Sequence, residues 1–238
     1  MKIRSYKKDS DYSYTYGAFA TIELLKLRPS QVLRVFVHSD YKDSDNPAKL
    51  CEANAVELVL DDRVFKRLGH KENIYVLGVF SKYKSALSPL RPHVVLVNPM
   101  DMGNLGTIMR ILAGFNILDL AIITPAADYF NPKTIRASMG ALFNLEIELF
   151  PSFEIYREKF FSHDLYPFML DGEIELGKDP APKSSLYSLI FGNEATGLPS
   201  YFKGIGTSVK LHQSNLVDSL NLSVAVGIGA YLFAIAGD

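Results

Sequence analysis

Short apolar runs alternate with segments of helical periodicity along this chain, and this alternation constrains its fold more than any other feature. The runs Ile74 to Phe80, Val94 to Val97 and Leu120 to Ile123 contain no charged residue and are rich in Val, Ile and Leu. Runs of this length and composition are typical of strands buried on both faces, as in parallel sheets covered by helices. The pattern therefore predicts an α/β fold.

The sequence changes character between two of these runs, which indicates two domains. Residues 81–92 contain serines, lysines and two prolines, a composition typical of a linker. We predict a first α/β domain over residues 1–80, a linker over 81–92 and a second α/β domain over 93–238. The polar opening up to Tyr14 is predicted to be a loosely docked arm.

The distribution of charge differs between the two parts of the chain. Residues 1–90 carry a net charge of +4, from 15 Lys and Arg against 11 Asp and Glu. Residues 91–238 carry a net charge of −5, from 10 basic against 15 acidic residues. A basic first part is compatible with an anionic partner, although chance variation in surface charge explains the difference equally well.

Several classes of protein are disfavoured by composition. The single cysteine, Cys51, and a start without an apolar leader favour the cytoplasm. The apolar stretch from Leu220 to Ala236 is interrupted by Asn221, Ser223 and glycines, so a buried terminal helix is predicted rather than a membrane span.

No metal site is expected, because the five histidines lack ligand spacing. No glycine-rich dinucleotide or phosphate-loop motif is present, which argues against a Rossmann-type enzyme.

Three polar clusters interrupt the apolar pattern in the second part of the chain. The first cluster runs from Asn104 to Arg110, the second from Gly192 to Leu198 and the third from Ser219 to Ser223. Taken singly, each has a plain structural explanation: a helix capped by Asn104, a turn, and a helix capped by Ser219. Asn221, placed further into the terminal helix, needs a polar partner. Because α/β folds gather functional groups beyond their strand ends, the three clusters together suggest one composite site.

The clusters resemble, in order and spacing, the three motifs of the SpoU (TrmH) family of RNA ribose 2′-O-methyltransferases, in the SPOUT superfamily. The matching residues are Asn104-x-Gly106-x-x-x-Arg110, Gly192-x-Glu194-x-x-Gly197 and Ser219-Leu220-Asn221-Leu222-Ser223. The segment 131–141 is similar to the family's intermotif segment, and the resemblance spans about residues 93–235. Residues 1–80 resemble, less specifically, the small α/β RNA-binding domain that often precedes this catalytic domain and shares a fold with some ribosomal proteins.

The resemblance implies a parallel-sheet domain with a deep trefoil knot, a homodimer, and S-adenosyl-methionine as cofactor. The implied reaction is methyl transfer to a ribose 2′-hydroxyl of RNA, with ribosomal RNA favoured over transfer RNA. The implied cofactor contacts are Leu170, Gly192, Leu211 and Leu220. The implied catalytic residues are Arg110, Asn104, Glu194, Asn221 and Ser219.

The family assigns Arg110 to the proton of the ribose hydroxyl. A guanidinium stays protonated in proteins, so we expect Arg110 to act as a clamp on phosphate and on the developing alkoxide, with its role as base left open. The sequence departs from the family at Leu211-His212-Gln213, where an Ile-Pro-Met-like tripeptide is usual. If this change abolished cofactor binding, the alternative function would be a non-catalytic, dimeric RNA-binding protein of the same fold.

Overall fold

The computed structural model describes residues 4–43, 45–68, 74–177, 181 and 184–236. The strands are β1 (Tyr12–Tyr16), β2 (Val32–Val37), β3 (Leu58–Leu60), β4 (Val76–Ser81), β5 (His93–Val97), β6 (Asp119–Ile123), β7 (Glu146–Phe150), β8 (Asp164–Pro167), β9 (Ile174–Leu176), β10 (Tyr187–Phe191) and β11 (Val209–Leu211). The helices are α1 (Ala18–Leu27), α2 (Asp45–Ala53), α3 (Asp62–Arg67), α4 (Met102–Gly114), α5 (Pro132–Ala137), α6 (Phe153–Lys159) and α7 (Leu222–Ala236).

The chain forms two compact units. The first unit combines Met1–Tyr83 with Asp128–Asn144, and the second combines Lys84–Ala127 with Leu145–Asp238. The first unit is built on a four-stranded sheet in the order β1-β4-β2-β3. Strand β4 is antiparallel to both β1 and β2, whereas β2 and β3 are parallel.

The prediction of a loosely docked arm up to Tyr14 is wrong. Residues 12–16 form β1, which pairs with β4 from Tyr12 to Tyr16, and the Tyr14 side chain is fully buried. Ser13 and Thr15 are also buried. The Ser13 hydroxyl donates to the Phe130 carbonyl, and the Thr15 hydroxyl bonds to the Thr21 hydroxyl, so neither polar group is left unsatisfied. The alternation of tyrosines with small hydroxyl residues is a strand pattern whose polar members find partners inside the unit.

Residues 128–144 complete the first unit. Asn131 caps α5 by accepting a hydrogen bond from the Lys133 N–H, and Pro132 occupies the first helical position. Gly140 has φ +83°, and a Cβ there would lie 3.1 Å from the Ala20 Cα. This segment therefore packs directly against α1, with no room for a side chain at the contact.

The second unit confirms the predicted parallel sheet. Its five strands lie in the order β7-β6-β5-β10-β8 with every neighbouring pair parallel. All residues of β5, β6 and β10 are buried, including His93, Asp119 and Ser188, and the remaining residues of each strand are apolar or aromatic. A short parallel pair, β9 with β11, lies outside this sheet.

The terminal helix α7 packs on α4 and β10 within the second unit. It has 15 residues, and its Val226, Ala230 and Phe233 are buried. Among the described residues, no helix is both long and apolar enough to cross a membrane.

Candidate functional site

The site is built at the carboxyl ends of two neighbouring parallel strands. Strand β5 ends at Val97 and strand β10 ends at Phe191, with Phe191 opposite Leu96 in the register. The loop after β5 leads into α4, and the loop after β10 carries the second cluster. Because the strands are adjacent and parallel, the two loops emerge side by side.

Asn193 organises the loop after β10. Its Nδ2 donates to the carbonyl of Asn98 at 2.7 Å, which ties this loop to the one after β5. Its Oδ1 accepts from the backbone N–H groups of Ala195 and Thr196 at 2.9 and 3.3 Å. A Cβ on Gly192 would lie 2.1 Å from the carbonyl carbon of Gly197, so only glycine permits this tight turn.

Glu194 holds the neighbouring loop through its carboxylate. Oε2 accepts the N–H of Met100 at 3.1 Å, and Oε1 accepts the N–H of Asp101 at 3.0 Å. These two backbone groups lie directly before α4 and have no helical partner of their own. The carboxylate therefore fixes the start of α4, the helix that carries the first cluster.

The helix cap of α4 is Asp101, and the expectation that Asn104 caps this helix is wrong. The Asp101 side chain accepts from the N–H of Asn104 at 2.7 Å. The Asn104 side chain is thereby left for another contact, and its Oδ1 accepts from the Nδ2 of Asn221 at 3.0 Å. This hydrogen bond joins the first cluster to the third.

Asn221 is itself a helix cap, so the expectation that Ser219 caps α7 and Asn221 lies deeper is also wrong. Helix α7 begins at Leu222. Oδ1 of Asn221 accepts from the N–H and the hydroxyl of Ser223 at 2.8 and 2.7 Å, and its carbonyl accepts from the N–H of Ala225. Both ends of the Asn221 amide are therefore engaged, and Ser219 lies in the exposed segment before the helix.

Arg110 lies nearly two turns into α4 from Asn104 and is exposed. It makes no hydrogen bond or ion pair with any residue in the described part of the chain. It is also not among the residues that line the adjoining cavity. Its guanidinium is thus available to an external anion.

A cavity of about 440 Å³ opens beside these loops in the second unit. The four residues predicted to contact a cofactor, Leu170, Gly192, Leu211 and Leu220, all line it, together with Glu194 and Ser219. Asn104, Arg110 and Asn221 do not line it. Its apolar walls also include Phe168, Met169, Phe191, Leu198, Leu222 and Ala225, and uncharged polar side chains come from Asn193, Thr196 and Gln213.

The charged groups that line the cavity are all carboxylates: Asp171, Glu194 and Asp218. No lysine, arginine or histidine from the described residues lines it. Lys203 binds Asp171 at 2.7 Å through a hydrogen bond that holds the pKa of this carboxyl below its ordinary value. The cavity is therefore apolar with an acidic rim, which favours a ligand that is partly apolar and cationic.

The residues of the unusual tripeptide Leu211-His212-Gln213 lie in two different environments. Leu211 and Gln213 line the cavity. His212 instead pairs with Glu175, with 2.5 Å between Nδ1 and Oε1. Glu175 lies on β9, opposite Lys210 of β11 in the register, so this contact holds the end of β11 against β9.

Two residues of the site, Asp101 and Asp218, lie outside the three clusters, and Asn193 lies within the second cluster but had no predicted role. A signal for Asp101 was present, because Asp is a preferred N-cap residue and a helical segment follows it. The contact of Asn193 with Asn98 had no such signal, because it depends on which strands are neighbours. In the described residues, no group of three or more His, Cys, Asp or Glu side chains could hold a metal ion.

Comparison with known proteins gives a consistent set of similarities. The model of the SpoU rRNA Methylase family matches residues 91–231. The chain is 32% identical over 154 residues to the 23S rRNA (adenosine(1067)-2′-O)-methyltransferase of Streptomyces laurentii, covering 61% of this chain and 55% of that protein. It is 29% identical over 147 residues to an uncharacterized tRNA/rRNA methyltransferase of Synechocystis, covering 58% and 51%. The chain thus spans about half the length of these relatives.

Two solved structures share the fold over nearly the whole chain. An AdoMet-bound rRNA methyltransferase from Sinorhizobium meliloti gives a TM-score of 0.79 at 22% identity, covering 93% of this chain and 86% of that one. The SpoU methyltransferase AviRb from Streptomyces viridochromogenes, in complex with AdoMet, gives a TM-score of 0.79 at 20% identity, covering 96% and 92%.

Proposed function

This chain belongs to the SpoU rRNA Methylase family, and on that premise we propose that it transfers a methyl group from S-adenosyl-methionine to a ribose 2′-hydroxyl of RNA. Ribosomal RNA is favoured over transfer RNA, in line with the family description and with the Streptomyces laurentii relative. The observation that carries the proposal is the Asn104–Asn221 hydrogen bond beside the acidic cavity. This hydrogen bond brings the first and third clusters into contact.

The residues that line the cavity fit S-adenosyl-methionine. Leu170, Leu211 and Leu220 form an apolar slot suited to an adenine ring, and Gly192 leaves backbone groups accessible at a strand end. The cofactor carries a net positive charge near neutral pH, which suits walls whose charged groups are all carboxylates. When bound, it supplies an electrophilic methyl group on a sulfonium.

The chain's own residues have three tasks in the proposed reaction. The Asn104–Asn221 pair orients the ribose, since positioning of the reacting groups can contribute about 7–11 kcal/mol. Glu194 fixes the start of α4 through the N–H groups of Met100 and Asp101. Arg110 binds a substrate phosphate and stabilises negative charge on the ribose oxygen as its proton leaves. Ser219 lines the cavity and makes no hydrogen bond with any described residue, so its hydroxyl is available to a ligand.

The proposal includes a homodimer formed through α7. Val224, Ile228, Tyr231 and Ile235 are each 39–50% exposed. Their spacing of four, three and four residues places them on one face of the helix. An exposed apolar stripe of this length is typical of an interaction surface, and a second copy of the chain offers a self-complementary partner.

Light scattering tests the dimer. Ile228→Glu places a charge in the centre of the stripe and should give a monomer, whereas wild-type protein gives a dimer. Ile155→Glu is the matched control, because Ile155 is 47% exposed on α6 and lies outside the stripe. A monomeric wild-type protein would contradict this part of the proposal.

The proposal also includes the domain plan, the location and the knot. The N-terminal domain, residues 1–80, recruits RNA through contacts with the RNA phosphate backbone, as its positive charge suggests.

Buried Cys51 is a free thiol, which suits the reducing cytoplasm. The deep trefoil knot is the part of the proposal that rests on family membership, and the close backbone approaches of Gly172 to Val209 and of Gly206 to Leu165 are compatible with it.

Methyl transfer from labelled S-adenosyl-methionine to unmodified ribosomal and transfer RNA tests the activity. We expect transfer to ribosomal RNA, with the label on a ribose 2′-oxygen. Arg110→Ala should abolish transfer and leave cofactor binding measured by calorimetry unchanged. Arg157→Ala, which removes an exposed arginine from α6, is the control and should retain activity. A wild-type protein that binds RNA but neither binds the cofactor nor transfers methyl would instead be the non-catalytic RNA-binding protein.

A further inference from the structure

Asp218 differs from the other carboxylates of the cavity. Glu194 accepts hydrogen bonds from the N–H groups of Met100 and Asp101, and Asp171 pairs with Lys203 at 2.7 Å. The Asp218 carboxylate makes no hydrogen bond or ion pair with any residue of the described chain. Among the described residues that line the cavity, it is therefore the one carboxylate without a protein partner, and it is exposed to solvent.

The backbone of Asp218 is held in place. Nε2 of Gln213, another residue of the cavity wall, donates to the Asp218 carbonyl at 3.4 Å. Asp218 also lies one residue before Ser219 and three before Asn221, which caps α7. At about 3.8 Å per residue, its Cα lies within roughly 11 Å of the Asn221 Cα. Asp218 thus lines the cavity at a position close in sequence to Asn221 of the Asn104–Asn221 pair.

The substrate and product forms of the proposed cofactor differ by one charge. S-adenosyl-methionine carries a sulfonium besides its ammonium and carboxylate, whereas S-adenosyl-homocysteine has lost the sulfonium charge with the methyl group. The ammonium and carboxylate are close together in both forms, so their effects on a nearby carboxylate largely cancel. An unpaired carboxylate on the wall therefore favours the sulfonium form over the product.

We propose that Asp218 faces the sulfonium and makes this protein bind its methylated cofactor more tightly than the demethylated product. This inference rests on the proposed function, because it assumes that S-adenosyl-methionine occupies the cavity. The consequence is easier exchange after each turnover: loss of the methyl group removes the charge that Asp218 stabilises, so the product is released in favour of fresh cofactor.

Calorimetric titration of the full chain with three ligands tests the proposal. The ligands are S-adenosyl-methionine, S-adenosyl-homocysteine and sinefungin, which carries an amine in place of the sulfonium methyl. For Asp218→Asn we expect the Kd of the two cationic ligands to rise roughly fivefold, as for a partly exposed ion pair, and that of S-adenosyl-homocysteine to change less than about twofold. Product inhibition should become correspondingly stronger in methyl-transfer assays.

Glu158→Gln is the control, because it removes the same charge from an exposed carboxylate on α6, outside the cavity. It should leave the ratio of the Kd values for the two cofactor forms near its wild-type value. An equal rise for all three ligands in Asp218→Asn, or no rise at all, would overturn the inference. Failure of the proposed function is distinct, because wild-type protein would then bind none of the ligands.

Discussion

Acid should destabilise this protein through a buried histidine at the amino ends of the parallel strands. His93, the first residue of β5, is fully buried. Its Nε2 lies 2.8 Å from the carbonyl of Ser88, so this nitrogen carries the proton and donates. Nδ1 then accepts from the Tyr156 hydroxyl at 2.8 Å, and that hydroxyl in turn accepts from Ser188 at 2.6 Å. The network is satisfied only while His93 is neutral.

Burial lowers the pKa of His93 from 6.5 to about 4, with the neighbouring His163 adding a smaller effect in the same direction. Because the folded state binds this proton less readily than the unfolded state, the stabilisation is complete above about pH 6.5 and declines as the pH falls towards 4. A difference of about 2.5 pKa units corresponds to about 3 kcal/mol in total, of which about 2 kcal/mol is lost between about pH 7 and pH 5.

Urea unfolding followed by circular dichroism over this pH range measures the effect. In His93→Gln the residue no longer titrates, so we expect lower stability at neutral pH and a pH dependence weaker by about 2 kcal/mol. His212→Gln, which removes a histidine that is 63% exposed, is the matched control. If wild-type protein and His93→Gln lose the same free energy of unfolding between neutral and acidic pH, the reasoning is wrong.

Three further predictions concern the site. Glu194→Gln should lower the free energy of unfolding by about 1–3 kcal/mol in urea titrations, because an amide group cannot accept from both N–H groups before α4. Gly192→Ala should abolish cofactor binding in calorimetry while the protein stays folded, because its Cβ would force open the 192–198 turn; unchanged affinity would contradict this. Asn221→Ala should cost about 1–2 kcal/mol in thermal unfolding through loss of the α7 cap and of the bond to Asn104, with a much larger loss of methyl transfer.

The local sequence pattern predicts the strands whose residues are buried on both faces of the sheet. Strands β5, β6 and β10 are buried throughout, and apart from His93, Asp119 and Ser188 their residues are apolar or aromatic in the sequence. The polar composition of the opening up to Tyr14 predicts a loosely docked arm there, whereas residues 12–14 begin β1. Its Ser13 and Thr15 are buried all the same, since Phe130 and Thr21 satisfy their hydroxyls. Phe130 is 117 residues from Ser13, a separation that no local pattern reports.

The same distinction between local pattern and distant contacts holds for the candidate site. By itself, the sequence determined the α/β class and the three polar clusters that supply the candidate residues. Only the tertiary structure decided what those residues contact: Asn221 reaches Asn104 across 117 residues, and Glu194 reaches the N–H of Met100 across 94. The physical reason is that side-chain hydrogen bonds form between neighbours in space. Which loops become neighbours depends on the order of strands in the sheet, whereas the alternation of apolar and polar residues encodes only the strands and helices themselves.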